Sequence, residues 1–470
     1  MKRLLVLISL LLAGCAGSKA PVPPEAAVTP PSAWRGAAAA RDDAVDAQWW
    51  RSFNDQVLAQ IVEAALQHND DIAIAAGRVA EARAQFRLAR AQLWPNIAIG
   101  GEGARERTIN PGFGIPELQS AWQAEGGISY DLDLFGRLKD SSEAARANLL
   151  ATEAARDNVR LAVAASAASG YITLCSLDAR LAVLRDTLKA REEELRVARH
   201  RAQVGYSSQL DLAQADAAYQ ATRQLIPATE LAVTKQEDGL SVLLGENPRG
   251  IERNRHFDGF AVPSIPVSVP ASLLSRRPDI ASAEQQLAAT DHALNAARDA
   301  FMPDIQLAAS GGYVGSTLIP SSPLLIWSLG ASILAPIFTA GRLEAQQDAA
   351  TARRDQAAFV YRKTALTAFR EVQDALAAVQ RLAEQEKTLE AQREVLAHAL
   401  KLARNRYRAG YSPYLDQLDA QRQLLSAQLS LVQTHADRLT ATIQLYQSLG
   451  GGWAASADDT AKAAERRNGP

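Results

Sequence analysis

The chain has 470 residues, with 50 basic against 52 acidic side chains and a formal charge of −2. That balance excludes a dedicated nucleic-acid binder, which carries a basic excess. Hydrophobic residues are 47% and aromatics only 6%, an ordinary globular proportion in which long alanine-rich stretches favour helix over strand.

The chain opens on MKRLLVLISLLLAGC, two basic residues and an apolar run, Leu4–Leu12, followed by small residues before Cys15. This is the pattern of a secretory signal, residues 1–14, too short to span a membrane. LAGC at Leu12–Cys15 resembles a bacterial lipobox, which implies Cys15 as an acylated N-terminus; the alternative is an ordinary signal with a chance cysteine. Ala16 follows rather than aspartate, which by resemblance to lipoprotein sorting implies the outer membrane. Cys175, the other cysteine, is expected to be a small apolar residue on a helix, and with Cys15 lipidated no intrachain disulfide can form. Residues 15–48 carry Pro21, Pro23, Pro24, Pro30 and Pro31 and read as an extended tether. No later segment offers eighteen consecutive apolar residues, so no transmembrane helix is expected.

Helices are predicted near 54–93, 137–203, 208–245, 271–302, 341–408 and 413–449. Two of them, at about 65 residues, make rods of roughly 100 Å. Ala167, Leu174, Leu181, Leu188, Leu195 and Ala202 recur every seven residues, and Ala358, Tyr361, Ala365, Ala368, Val372, Ala375, Val379 and Leu382 alternate steps of three and four. Such a seam packs a long helix along its length against a partner; a single long helix in a bundle has the same seam. Between the helices, glycine-rich segments at 94–108, 121–135, 302–315 and 324–338 read as four strands, each near the 9–11 residues that a tilted strand needs to cross a bilayer. Asp131 and Asp133 alternate within one of them, so both are expected on one side, facing a water-filled lumen rather than forming an acid/base pair.

The pattern occurs twice. DDIA at 70–73 matches PDIA at 278–281, an offset of 208, whereas GRL at 136–138 and 341–343, and GYS at 205–207 and 410–412, are offset by 205. The three extra residues of the first half are expected in its hairpin loop, where an insertion is cheap. The chain thus divides into a first repeat, 49–245, a proline-rich connector, 246–270, a second repeat, 271–450, and a polar tail, 451–470. Each repeat reads helix, hairpin, long helix, turn, helix.

The repeated phrase around each GYS is a helix–helix turn. Gly205 and Gly410 suit a left-handed helix end. Ser207, Ser208 and Ser412 suit the next N-cap, and Pro413 its first turn. Asp211 and Asp416 fall in that first turn, where negative charge is favoured. This chemistry alone accounts for both aspartates.

WWRSFNDQVLAQIVEAALQHNDDIAIAAGRV (49–79), RRPDIASAEQQLAAT (276–290), the GRL helix starts and LYQSLGGGW (445–453) resemble the TolC family, and within it the outer-membrane efflux lipoproteins of NodT/OprM type, over residues 49–453. The resemblance implies a mostly α fold with a small β part. It implies a homotrimer in which four strands from each chain make a twelve-stranded transmembrane β-barrel and the long coiled-coil helices an α-barrel, with 246–270 in an equatorial region. Open sheet edges are forbidden in a bilayer and closed barrels need about eight strands, which argues for the same assembly. The implied partners are a periplasmic adaptor, an inner-membrane pump of the resistance-nodulation-division type and outer-membrane lipid. The resemblance makes the two turns, Gly205, Tyr206, Ser207 and Gly410, Tyr411, Ser412, the adaptor contact. It makes Asp416 and Asp419, with Leu415, Tyr407 and Asp211, the periplasmic gate. Ser412 stands where some relatives have an arginine, and Arg422 is the substitute.

Catalytic signals are missing: the six histidines form no HxxxH or HExxH, and no CxxC or phosphate-binding loop appears. No cofactor or metal is expected, and no enzyme. Three readings stand: a passive outer-membrane duct for drugs or other small molecules, the same duct for polypeptides of a type I exporter, and a pore-less coiled-coil scaffold. Four glycine-rich strands of bilayer length have no use in a scaffold.

Overall fold

The computed structural model describes residues 22–35, 45–109, 116–253, 257–263, 270–317, 321 and 323–453. The signal with Cys15, parts of the tether and connector, both hairpin tips and the tail beyond Trp453 lie outside the described residues.

The predicted first helix is two. Helix α1, Gln56–His68, starts at Asp55, whose carboxylate accepts from the Leu58 amide at 2.8 Å. It stops at Asn69, which is extended and caps the next helix, α2 (Asp70–Ala91), by accepting from the Asp71 and Ile72 amides. Strands β1 (Asn96–Ile109) and β2 (Pro116–Asp131) lead to α3, Arg137–Gln203, which is 67 residues long. The predicted 208–245 helix also divides, into α4 (Gln209–Arg223) and α5 (Leu225–Leu243), because Pro227 has no N–H to continue the ladder. The predicted 271–302 helix becomes α6 (Leu273–Arg276) and α7 (Pro278–Asp299); Arg277 is extended, as a residue before proline should be. Strands β3 (Asp304–Ser316) and β4 (Leu324–Leu334) precede α8, Arg342–Arg408, again 67 residues, and α9, Tyr414–Ser448.

Duplication is visible atom by atom where helices end. The Asn69 side-chain amide donates to the Leu243 carbonyl at 2.9 Å, and the Arg277 guanidinium, at the matching position, donates to the Ser448 carbonyl at 3.0 Å. Glycines 245 and 450, at φ +71° and +92°, sit on the carbonyls of His68 and Arg276 respectively.

The chain forms two compact units, each drawing on both repeats. One contains residues 80–151 and 283–364 and holds a single four-stranded antiparallel sheet, ordered β1-β2-β3-β4. The first hairpin loop, where the three extra residues were expected, lies outside the described residues. Strands β1 and β2 are 14 and 16 residues against 13 and 11 for β3 and β4.

The other unit contains residues 30–79, 152–282 and 365–453. In it the α3 seam is buried: Ala167 and Leu174 are fully covered, as are Ala365, Ala368 and Val372 of the α8 seam. Among the described residues, α3 is the helix with an 18-residue window apolar enough by composition for a membrane span, and half of that window is buried in the chain itself. Cys175 is a buried free thiol there, and burial pushes it up to about 12. Trp49 stacks on Tyr446 at 5.2 Å between ring centres, with Phe53 fully buried beside them. Each such ring removes a large apolar area from water.

Candidate functional site

Both repeated turns close in the same way. Helix α3 ends with the Tyr206 amide donating to the Arg201 carbonyl at 2.8 Å and the Gly205 amide to Ala202 at 3.3 Å. Helix α8 ends with Tyr411 to Arg406 at 2.9 Å and Gly410 to Tyr407 at 3.1 Å. These six-to-one and five-to-two bonds are the Schellman arrangement, which needs a left-handed residue, and both glycines have φ +78°. Neither is crowded, so conformation alone demands glycine. Tyr206 and Tyr411 project into solvent, 86% and 79% exposed.

The caps differ from expectation. Ser208 is the N-cap of α4, accepting from the Asp211 amide at 3.0 Å. Pro413 is itself the N-cap of α9, without a side-chain bond, rather than a first-turn residue. The hydroxyls of Ser207 and Ser412 are buried and have no partner among the described residues. A proline at the cap position replaces the hydroxyl that Ser412 was expected to supply.

The first two turns of α9 have two faces. Leu415, Asp416, Asp419 and Arg422 are exposed, on the side where three- and four-residue spacing gathers them. Asp419 accepts from Gln423 at 2.6 Å. Arg422 forms no ion pair among the described residues, with Asp419 or otherwise. On the other face Tyr414 and Leu418 are buried with Leu195, Ala198, Ala215 and Ala218, and Tyr407 packs against them. The rings of Tyr407 and Tyr414 lie 5.4 Å apart, and Arg201 sits 5.2 Å over Tyr407. Burial, with Glu194 and Tyr407 adding, pushes the Tyr414 phenol up to about 12. The Tyr407 hydroxyl is buried with no partner among the described residues, so the expected contact with Asp211, which is half-buried, is not made within one chain.

Sequence reading missed what holds this inner face. Glu194 of α3 accepts from Arg404 of α8 at 2.9 Å, from Gln417 of α9 at 2.9 Å and from Gln421. Its side chain is only 14% exposed. One turn away, the buried Arg191 donates to the Ala218 carbonyl at 2.6 Å and to Thr222, and burial pulls its guanidinium below the ordinary value. The cluster is not repeated: the positions related to Glu194, Gln417 and Gln421 are Ala399, Leu212 and Asp216. That lost symmetry was the one available signal.

The sheet sorts its residues by face, as period-two geometry requires. One face carries Asn96, Glu102, Glu106, Gln123, Glu125 and Ser129, together with Asp131 and Asp304; the register places Glu102 opposite Gln123 and Glu106 opposite Gln119. Gln123 donates to Glu125, two residues on. The other carries Ile97, Ile99, Ile128, Leu307, Trp327 and Leu329. A polar face and an apolar face on strands of this length fit a water-filled lumen and a lipid exterior. Asp131 belongs to the polar face, paired with Arg137 at 3.1 Å. Asp133 does not: it lies beyond the strand at φ +42°, and its carboxylate accepts from the Leu138 and Lys139 amides at 2.9 and 2.8 Å. It anchors the first turn of α3, where a carboxylate meets otherwise unsatisfied N–H groups.

Comparison with known proteins follows the same lines. The family described as outer membrane efflux protein matches residues 61–246 and 269–451. The antibiotic efflux pump outer membrane protein ArpC of Pseudomonas putida is 35% identical over 462 residues, covering 96% of this chain and 95% of that one. The outer-membrane channel OprN superposes with a TM-score of 0.86 at 26% identity, over 93% of this chain and 99% of that one. CusC, solved for its folding and transmembrane channel formation, superposes with a TM-score of 0.81 at 30% identity, over 93% and 99%.

Proposed function

This chain belongs to the outer membrane efflux protein family, and from that premise we propose how its parts work. It is the outer-membrane duct of an efflux system. The observation that carries this reading is the single sheet with unpaired edges at β1 and β4, one face polar and the other apolar. A bilayer tolerates no open edge, so three chains close twelve strands into one barrel. Cargo crosses passively, and the driving energy comes from an inner-membrane pump of the resistance-nodulation-division type joined through a periplasmic adaptor. The cargo is small molecules, in keeping with the antibiotic export named for ArpC. Cys15 carries the lipid that fixes the tether to the membrane.

The adaptor meets the two Schellman turns. The exposed Tyr206 and Tyr411, with Val204 at 51% exposure, supply apolar surface that a monomeric tip has no reason to show. The gate is the exposed face of α9. In the trimer Asp416 and Asp419 give six carboxylates around one axis, Leu415 an apolar constriction, and Tyr407 brings a buried hydroxyl in search of an acceptor, which Asp211 supplies when neighbouring helices close. Arg422 is free to meet a carboxylate of the next chain. Opening splays α8 and α9 away from α3 and α4.

Planar-bilayer conductance with oligomeric mass tests the reading. A trimer with cation-preferring channels is expected, and Asp416→Asn with Asp419→Asn lowers the cation preference and the block by multivalent cations. A stable monomer with a folded sheet and no conductance refutes the duct. Wild-type selectivity and block in the double variant reduce the aspartates to helix-start residues.

A further inference from the structure

Charge on β1 is sorted by face. Its carboxylates, Glu102 and Glu106, share the polar face, and its two arginines, Arg105 and Arg107, fall on the apolar one. Both arginines are exposed, and neither forms an ion pair among the described residues. Their cross-strand neighbours are Ser120 and Leu118, which offer no charge. The strand β4, LLIWSLGASIL, has no charged residue at all, so the next chain's edge supplies none when it closes on β1. The hairpin tips, NPGFGI at 110–115 and TLIPSSP at 317–323, contain no carboxylate. These two cations therefore face outwards with no counter-charge from the protein's strands or tips.

Their depth is fixed by the strand. Ile97 and Ile99 stand at the helix-proximal end of β1 and Arg105 eight residues beyond Ile97, about 27 Å along a strand and about 20 Å along the barrel axis after a tilt of roughly 40°. The apolar band of such barrels is about 25 Å tall, so the pair sits at the outer edge of the hydrocarbon. Trp122 is paired with Gly103 on the same face, at the level where aromatic rings mark an interface. A guanidinium within hydrocarbon is costly, but at the headgroup level it is not, and its planar fork suits a phosphate.

We propose that Arg105 and Arg107 form a docking site on the barrel exterior for the phosphate groups of an anionic glycolipid in the outer leaflet. The proposal rests on the barrel reading given above. It does not involve the duct or its gate, so the variant leaves conductance unchanged.

The test uses the full-length trimer in nanodiscs of phosphatidylethanolamine doped with bisphosphorylated lipid A, or with the same lipid after phosphatase treatment, and native mass spectrometry counts retained glycolipid. The wild type retains lipid A at least tenfold better than the dephosphorylated form, and Arg105→Gln with Arg107→Gln abolishes that preference while single-channel conductance stays at the wild-type value. Equal retention of the two lipids by the wild type, or undiminished retention by the double variant, overturns the proposal. If the variant does not insert, the wild-type comparison decides alone. Failure of the barrel reading is distinct, appearing as a wild type that neither inserts nor conducts.

Discussion

Replacing Glu194 with alanine removes the acceptor shared by α8 and α9 just inside the helix tip. Gln417 and Gln421 are buried, and each loses the acceptor of its amide; a buried unsatisfied group costs about 1–3 kcal/mol. Arg404 is 36% exposed and turns to water, so its ion pair adds only about 1 kcal/mol at most. The inner face of α9 therefore loosens by about 2–7 kcal/mol, enough to shift a two-state gate by more than about tenfold. Planar-bilayer recording of Glu194→Ala is expected to show raised resting conductance, with the trimer intact on mass measurement. The swap Glu194→Arg with Arg404→Glu is the control for simple packing damage. The Oε1 atoms of Gln417 and Gln421 are buried without a donor among the described residues, so both amides can turn and accept from an arginine at 194. The swap is expected to restore a low resting conductance. Wild-type conductance in Glu194→Ala, or a swap as leaky as the alanine variant, refutes the reasoning.

Left-handed glycines should separate into two classes on thermal denaturation in detergent. Gly205→Ala and Gly410→Ala meet open space and cost about 1–2 kcal/mol each through backbone strain, whereas Gly450→Ala drives a methyl into the Arg276 carbonyl and costs about 1–3 kcal/mol more; equal losses at the three sites would contradict this. At Glu386 burial raises the carboxyl, but the hydrogen bonds from Arg438 and His435 outweigh it and hold it below the ordinary value of about 4.5. A depressed carboxyl stabilises above its unfolded value and loses that contribution as pH falls through its folded one. The stability gap between wild type and Glu386→Gln should therefore be constant above about pH 5 and close on further acidification; a gap that stays constant at low pH would remove the linkage. Palmitate labelling should vanish in Cys15→Ser, and persistent labelling would exclude that anchor.

The elements and the duplication were legible in the sequence because each is set by local or periodic chemistry. Seven-residue spacing put Ala167, Leu174, Leu181 and Leu195 on one buried line, and two glycines fixed two Schellman turns whatever surrounded them. Breaks inside helices were less legible: Asn69 and Pro227 interrupt runs whose apolar spacing continues across them, and Asp133 reads as part of an alternating strand although its carboxylate caps α3. Among the candidate site residues, Asp416 and Asp419 were reached through the family resemblance, since turn chemistry alone would account for a helix-start aspartate; both are exposed. Glu194 was not reached, because a single glutamate on a long polar-faced helix is ordinary until Arg404, Gln417 and Gln421, more than two hundred residues away, are folded around it. The sequence by itself determined what each stretch becomes, since backbone preference and side-chain period act within a few residues. Only the tertiary structure decided which polar groups share a partner and which are left without one, as at Glu194 and the Tyr407 hydroxyl, because hydrogen bonds between distant helices depend on their packing and leave no trace in local spacing.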